Sequence, residues 1–413
     1  MSKASLFERY PRTTIFLTVI IGVLLLDVVA ANVQKHSFRY RFKKYDHEKE
    51  YRTASDVYHH GLLPNKVVPI TRFGNKFYSV KTNSLGFRDF QPREVPLRSD
   101  RYRILLMGDS FTEGVGCEYE DTYAGILTRT LAKRGIEVLN GAAVSYSPSI
   151  YYAKVRYLLE DVGLDFDDLF VMLDLTDAVN EACWYRTDEQ GRVLTNEEGR
   201  RWEDRERERH EEELKRQRDL FTRIERILKR DSILLYWTVR KTHDLFFDKD
   251  VFQDYFAINN WWGLWPSDSK IFELYGRRGL EGMVRYMDKL YELCRQRGIP
   301  LSVGIYPWID QIARRETDNV YVRTWRQWCA ERNVTFYNLY PAFINDQTDV
   351  RKTLEENFIY CDIHWNENGH RRIAEALLRL GFPRLLKEAA GVRPTDGSTE
   401  RNAGGLPAER PRR

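Results

Sequence analysis

The chain predicts an α/β fold: a three-layer sandwich around a central, mostly parallel five-stranded sheet, with a helical insertion and an N-terminal membrane anchor. Three observations carry that expectation. Five short, largely apolar runs have the character of strands covered on both faces: Arg103–Met107, Ile136–Asn140, Leu169–Asp174, Ile299–Tyr306 and Val334–Leu339. Helical patterns separate them, among them Thr122–Arg134, Ile150–Glu160 and Leu280–Arg297, and such alternation builds a parallel sheet with helices on both faces. Ahead of all of them lies an apolar stretch at the N-terminus, about the minimum length for crossing a bilayer.

That stretch, Ile15 to Leu26, is broken only by Thr18 and Gly22, and its apolar character largely resumes from Val28 to Val33 after Asp27. It suits an uncleaved anchor or the apolar region of a signal peptide. No clean small-x-small cleavage site follows, which favours the anchor; basic flanks at the extreme end argue against a buried core helix. Lys3, Arg9 and Arg12 precede the span, whereas Lys35, Arg39, Arg41, Lys43 and Lys44 follow it. That balance by itself points away from export.

The rest of the chain divides accordingly. Residues 1–33 form the anchor and 34–100 an extension packing on the main domain. Residues 101–390 form that domain, with a charged and Trp-rich insertion at about 185–275, and 391–413 a Gly/Pro/Arg-rich tail without hydrophobic period, hence disordered. Within the insertion, Glu197 to Arg230 is dense in Glu and Arg with a narrow stripe of Trp202, Leu214, Leu220, Ile224, Ile227 and Leu228. It reads as a solvated helix. The tract Asn259–Pro266 that follows holds three tryptophans; aromatic faces there suit sugar stacking, but a lid packed on the domain is the commoner outcome.

Composition narrows the function. At 413 residues and 42% hydrophobic content the chain has ample material for a core. A net charge of +4, without zinc-finger spacing, RNP-type strand or basic stripe, argues against nucleic-acid binding. The five cysteines, Cys117, Cys183, Cys294, Cys329 and Cys361, make neither a disulfide framework nor a metal motif, though one or two bridges stay open.

Chemistry concentrates in two places. In Leu105–Gly116 (LLMGDSFTEGVG) a serine, Ser110, follows directly on a buried-strand run, and a serine where a strand breaks into a loop is well placed as a nucleophile if a base reaches it. The base stands far downstream in Cys361–His370 (CDIHWNENGH). In an extended segment Asp362 and His364 share a face, so the carboxylate can fix the imidazole tautomer and stabilise the imidazolium. Asn366 suits a helix N-cap, with Ile373, Leu377 and Leu380 as that helix's buried stripe. His370, one turn into the helix, reads as structural. A metal site from Cys361, Asp362, His364 and His370 would need ligands from both faces of the extended stretch, and none is assigned.

These two blocks, Gly108-Asp109-Ser110-Phe111 and Asp362-x-His364-Trp365-Asn366-x-x-Gly369-His370, resemble the SGNH, or GDSL-type, hydrolase superfamily. They are most similar to its Asp-x-His branch, which includes cell-envelope polysaccharide O-acetyltransferases and esterases. The stretches Asn83–Arg88 and Tyr146–Tyr152 also look like this branch, and the likeness runs from about Ala54 to Leu385 with a gap at the charged insertion. It implies a flavodoxin-like α/β sandwich and a triad of Ser110, His364 and Asp362. The oxyanion hole would be built from Ser110, Gly141 of the second block and the third-block position, where Thr176 stands in place of the family's Asn. Asp109, Trp308 and Trp365 are then candidate substrate contacts. Ser110, Gly141, Thr176 and Trp308 each follow the carboxyl end of an expected strand, the edge where open α/β sheets bind ligands.

The expected activity is serine-dependent hydrolysis or transfer of an O-linked acyl group, and no dissociable cofactor is expected because such chemistry requires only the triad and its donors. The expected acyl group is acetyl and its carrier an envelope or secreted polysaccharide. The resemblance also implies a multispanning membrane O-acyltransferase as an acyl-donor partner and an extracytoplasmic catalytic domain. The rival reading is a non-catalytic scaffold of the same fold that binds glycan or an assembly partner through the charged helix and the Trp tract.

Overall fold

The structure is a computed structural model; it describes residues 10–43, 47–217, 260–360 and 362–383. Helix α1 (Pro11–Lys43) comes first, and its Pro11–Ala30 part is apolar, exposed and long enough to cross a membrane. Two antiparallel hairpins follow, β1 (Arg52–Ser55) with β2 (His59–Leu62), and β3 (Val67–Phe73) with β4 (Lys76–Lys81). The central sheet then begins with β5 (Arg103–Met107), followed by the short helix α2 (Ser110–Glu113), α3 (Tyr123–Ala132), β6 (Glu137–Asn140), α4 (Pro148–Tyr157) and β7 (Asp168–Leu173). The insertion opens with a small hairpin, β8 (Tyr185–Thr187) and β9 (Val193–Thr195), and helix α5 (Glu197–Gln217). Helix α6 (Arg277–Arg297), β10 (Leu301–Ile305), α7 (Val320–Arg332), β11 (Thr335–Asn338) and α8 (Glu367–Arg379) complete the order.

The sheet runs β11-β10-β7-β5-β6 with every neighbouring pair parallel. In sequence order of its five strands this is 2-1-3-4-5, the flavodoxin-like doubly wound arrangement, whose switch point lies between β5 and β7. Every residue of β5, β6, β7 and β10 is buried, whereas edge strand β11 is only partly so, which explains why the first four read as apolar runs. Helices α3 and α8 pack together, as do α4 and α6. Charge is also used in register: Arg103 and Glu137 sit opposite each other on β5 and β6, their side chains 2.8 Å apart and buried.

The extension does more than cover a face. Tyr51, Val68, Tyr78 and Val80 join the same hydrophobic core as the sheet. Arg52 donates to both carboxylate oxygens of buried Glu113 at 2.9 and 3.0 Å. Buried Arg88 donates to the backbone carbonyls of Glu113 (2.8 Å), Gly114 and Cys117 (2.5 Å). In the insertion, Trp261 and Trp265 lie in the core and Trp262 donates through Nε1 to Glu203 at 3.0 Å. Two of the three tryptophans are therefore packing, not platforms for sugar. The expected helix over Glu197–Arg230 is present to Gln217; its remainder and the 391–413 tail lie outside the described residues.

Candidate active site

The loop after β5 is shaped by tight packing. A Cβ at Gly108 would clash with the Thr112 hydroxyl and come within 3.2 Å of the Met172 carbonyl on β7, so only glycine lets the chain leave the strand there. Asp109 then caps α2, accepting from the Phe111 amide at 3.0 Å. Burial, and next the neighbouring Asp174 carboxylate, push the Asp109 carboxyl well above the usual carboxylate range. Asp109, expected to contact substrate, is in the structure a buried cap that fixes the turn.

Ser110 opens α2 at the carboxyl edge of the sheet. Its Oγ lies 2.7 Å from His364 Nε2 and 3.2 Å from Asp109 Oδ2. On the far side of the imidazole, His364 Nδ1 lies 2.6 Å from Asp362 Oδ1, which also accepts the His364 amide at 3.0 Å. With Nδ1–H donated to the carboxylate, Nε2 carries the lone pair facing the serine proton. Residues 362–364 form a bend, not the extended strand expected of them. The carboxylate reaches the ring through an Asx-type turn two residues on, so the pairing holds for a different reason. Burial pushes the Asp362 carboxyl up, but the hydrogen bond and charge of His364 outweigh it and hold it below the usual range.

The helix after the dyad starts as expected. Asn366 accepts from the amides of Asn368 and Gly369, and Ile373 and Leu377 are buried. Leu380 is a correction: it sits at the helix C-cap and is 41% exposed. His370 is structural, accepting from the Tyr123 amide at 3.3 Å, and burial drives its pKa down to about 3.

The expected oxyanion donors fare differently. The Gly141 amide extends the sheet, donating to the Leu106 carbonyl at 3.0 Å, so it is engaged. Further along the same turn the Ala142 amide goes to Asn140 Oδ1 and the Val144 amide to Glu113 Oε2. Among the described residues the amides of Ser110, Ala143 and Ser145 have no protein acceptor, and Ser145 holds φ +60. Thr176 also departs from expectation: both its amide (2.7 Å) and its hydroxyl donate to Asp174 Oδ1. A hydroxyl has one proton, and this one is already given away.

The remaining substrate candidates are buried. Trp308 is 0% exposed and donates through Nε1 to Asp174 Oδ2 at 2.7 Å, beside the Tyr306 hydroxyl at 2.5 Å. Trp365, also 0% exposed, packs among Phe111, Tyr306 and Phe343. Both are walls under the site. One contact absent from the sequence reading is Phe73 of β3, whose ring stands perpendicular to His364 at 4.8 Å. Among the described residues no cluster of His, Cys, Asp and Glu fit to hold a metal occurs.

No family model matches the chain, and no curated protein matches it. Solved structures do align. One is a lipolytic protein of the G-D-S-L family from Veillonella parvula, 13% identical over 68% of this chain and 99% of its own, with TM-score 0.34. Another is an acetyl xylan esterase, AlAXEase, 11% identical over 68% and 100% with TM-score 0.37. A third is a catalytic mutant of an acetylxylan esterase from Geobacillus stearothermophilus, 16% identical over 69% and 95% with TM-score 0.35. Likeness this slight carries no weight for activity. The resemblance to the SGNH superfamily rests on the two motifs, the strand order and the place of Ser110 at the switch point.

Proposed function

We propose that the chain is a serine-dependent ester hydrolase or O-acyltransferase of the SGNH type. The observation that carries this reading is the continuous relay from Asp362 Oδ1 to His364 Nδ1 (2.6 Å) and from His364 Nε2 to Ser110 Oγ (2.7 Å). Both distances are within the reach that general-base activation of a nucleophile requires. In the first step the Ser110 hydroxyl gives its proton to His364 Nε2 while Oγ attacks the ester carbonyl. The oxyanion so formed is stabilised by the Ser110 amide and a free amide of the 143–145 turn. Collapse expels the alcohol, which takes the proton back from His364, and leaves acyl-Ser110. Water or a sugar hydroxyl then gives its proton to His364 and attacks the acyl carbon; the bond to Ser110 Oγ breaks, that oxygen takes the proton back, and the acid or acylated sugar leaves.

The acyl group proposed is acetyl and its carrier an envelope or secreted polysaccharide, on the strength of the Asp-x-His branch resemblance. On the same ground the catalytic domain faces the periplasm or an equivalent compartment, held by the Pro11–Ala30 span, with a multispanning O-acyltransferase as donor partner. The test is acetyl release from, or transfer to, candidate glycans by the full-length protein in detergent, compared with Ser110→Ala. A reporter fused after Arg413 that works only in the cytosol would overturn the orientation. One observation favours the scaffold reading: the third block offers no free side-chain donor at Thr176. Loss of one oxyanion donor typically slows such chemistry about a hundredfold or more. A scaffold would be inert to an activated fluorophosphonate, whereas the enzyme is not.

A further inference from the structure

Two hydrogen bonds hold His364, one at each nitrogen. They anchor the two ends of the ring but leave it free to roll about the line joining them. What limits the roll is packing on the ring's sides. Phe111, from α2 itself, stacks on the imidazole with centroids 4.6 Å apart and planes 27° apart. The second aromatic is Phe73, at 4.8 Å and 83°, and it comes from the β3–β4 hairpin of the N-terminal extension.

That hairpin is fastened to the site on several sides. Lys76 donates to both carboxylate oxygens of Glu367, in the first turn of α8, at 2.6 and 2.8 Å. The amide and hydroxyl of Ser79 donate to Glu118 at 2.8 and 2.5 Å. At the tip, a Cβ on Gly74 would lie 3.8 Å from Asp362 Oδ2 and 3.7 Å from the Ile359 side chain. Gly116, at φ +80 just after the nucleophile helix, has the Phe73 ring 3.5 Å from where its Cβ would stand. The hairpin tip therefore touches the loop after the nucleophile and the dyad segment together, and Phe73 is its contact with the base.

We infer that Phe73 is a positioning residue for acyl transfer. It acts through His364, restricting the ring so that Nε2 stays aimed at Ser110 Oγ, and it makes the N-terminal hairpin part of the catalytic apparatus. This inference rests on the reading of Ser110 as nucleophile. Small misplacements of a catalytic group can cost up to about a hundredfold in rate. Loss of one of two flanking rings, with both hydrogen bonds kept, should cost about tenfold.

The experiment uses full-length protein in detergent micelles and measures the rate of Ser110 acylation by an alkyl fluorophosphonate in wild type, Phe73→Ala, Phe73→Leu and Phe77→Ala. Phe77 lies on the outer side of the same hairpin, 44% exposed, and serves as the control. The same samples, labelled with nitrogen-15 histidine, report the downfield proton of the His364 Nδ1–H bond to Asp362. Phe73→Ala should acylate about tenfold more slowly at an unchanged thermal midpoint, with that resonance broadened or lost. Phe73→Leu should restore most of the rate and the resonance, and Phe77→Ala should match wild type. A wild-type rate in Phe73→Ala overturns the inference, as does a rate loss that only follows a fall in thermal midpoint. A wild type that gains no adduct overturns the nucleophile reading instead, and the resonance then still reports whether Phe73 restrains the ring.

Discussion

Two turns at the carboxyl edge of the sheet carry a carboxylate within two residues of a polar partner, and they do opposite things. After β7, Asp174 is buried and accepts from the Thr176 amide and hydroxyl, the Tyr306 hydroxyl and the Trp308 indole. Before α8, Asp362 accepts from one histidine, and that histidine's second nitrogen is still turned toward a serine. The first turn closes on itself; the second passes its hydrogen bond onward. Residue type and sheet edge are alike in both, so what separates the two turns is whether the hydrogen-bond chain closes within its own surroundings or passes on to Ser110.

The largest effects should come from cutting the open chain. Ser110→Ala and His364→Ala should each lower ester turnover by on the order of 10⁴-fold or more, with stability within about 0.5 kcal/mol for the serine change. Parallel measurements of turnover and thermal midpoint check this. Asp362→Asn should lose about a hundredfold or more yet stay above His364→Ala, because a base that is sometimes in the right tautomer outperforms none. The reverse order would sink the assignment of roles.

The closed chain should answer in stability. Asp174→Asn replaces an all-acceptor group by one whose N–H donors face two of its four donors, at a cost of about 3 kcal/mol. Its turnover per folded molecule should fall less than that of Asp362→Asn. A denaturant midpoint that does not move would contradict this.

How much of this contrast was legible in the sequence varies by residue. The strands were readable because burial on both faces keeps β5, β6, β7 and β10 mostly apolar, with Arg103 and Glu137 paired to each other. Ser110, Asp362 and His364 were readable because the motifs are local. Thr176 and Gly141 lay at the right edge, but a sequence does not show that a hydroxyl proton or an amide is already engaged by a neighbour. Trp308, Trp365 and Asp109, expected as substrate contacts, are buried in the structure, and that burial is decided by residues distant in the chain. The two-residue Gly74-Asn75 turn between β3 and β4 is a recognisable hairpin signal, yet nothing local says that its tip rests on His364.

A second pair sharpens the comparison, the two histidines of one segment. His364 faces Ser110, whereas His370 is buried and held neutral, its pKa driven down to about 3 by burial and then by the charges of Arg88 and His364. Below pH 6.5 the unfolded chain takes up the proton first, so stability falls as pH falls through that window. By pH 5 the loss from this one group should reach about 2 kcal/mol. His370→Gln should flatten the pH dependence of the unfolding midpoint; an unchanged slope would contradict the assignment.

The smallest effect is expected at Thr176. With its hydroxyl given to Asp174, Thr176→Val should cost about 1 kcal/mol of stability and change turnover less than about threefold. An oxyanion donor there would cost about a hundredfold, so kcat of this variant decides between the two.

The central claim is that Ser110 is an activated nucleophile, and peptide-mapped mass spectrometry after fluorophosphonate treatment of the full-length protein tests it most directly. The account predicts one adduct, on Ser110, absent from Ser110→Ala and strongly slowed in His364→Ala while both variants keep the wild-type thermal midpoint. An unmodified Ser110 in folded wild-type protein, or equal labelling with and without His364, would contradict it.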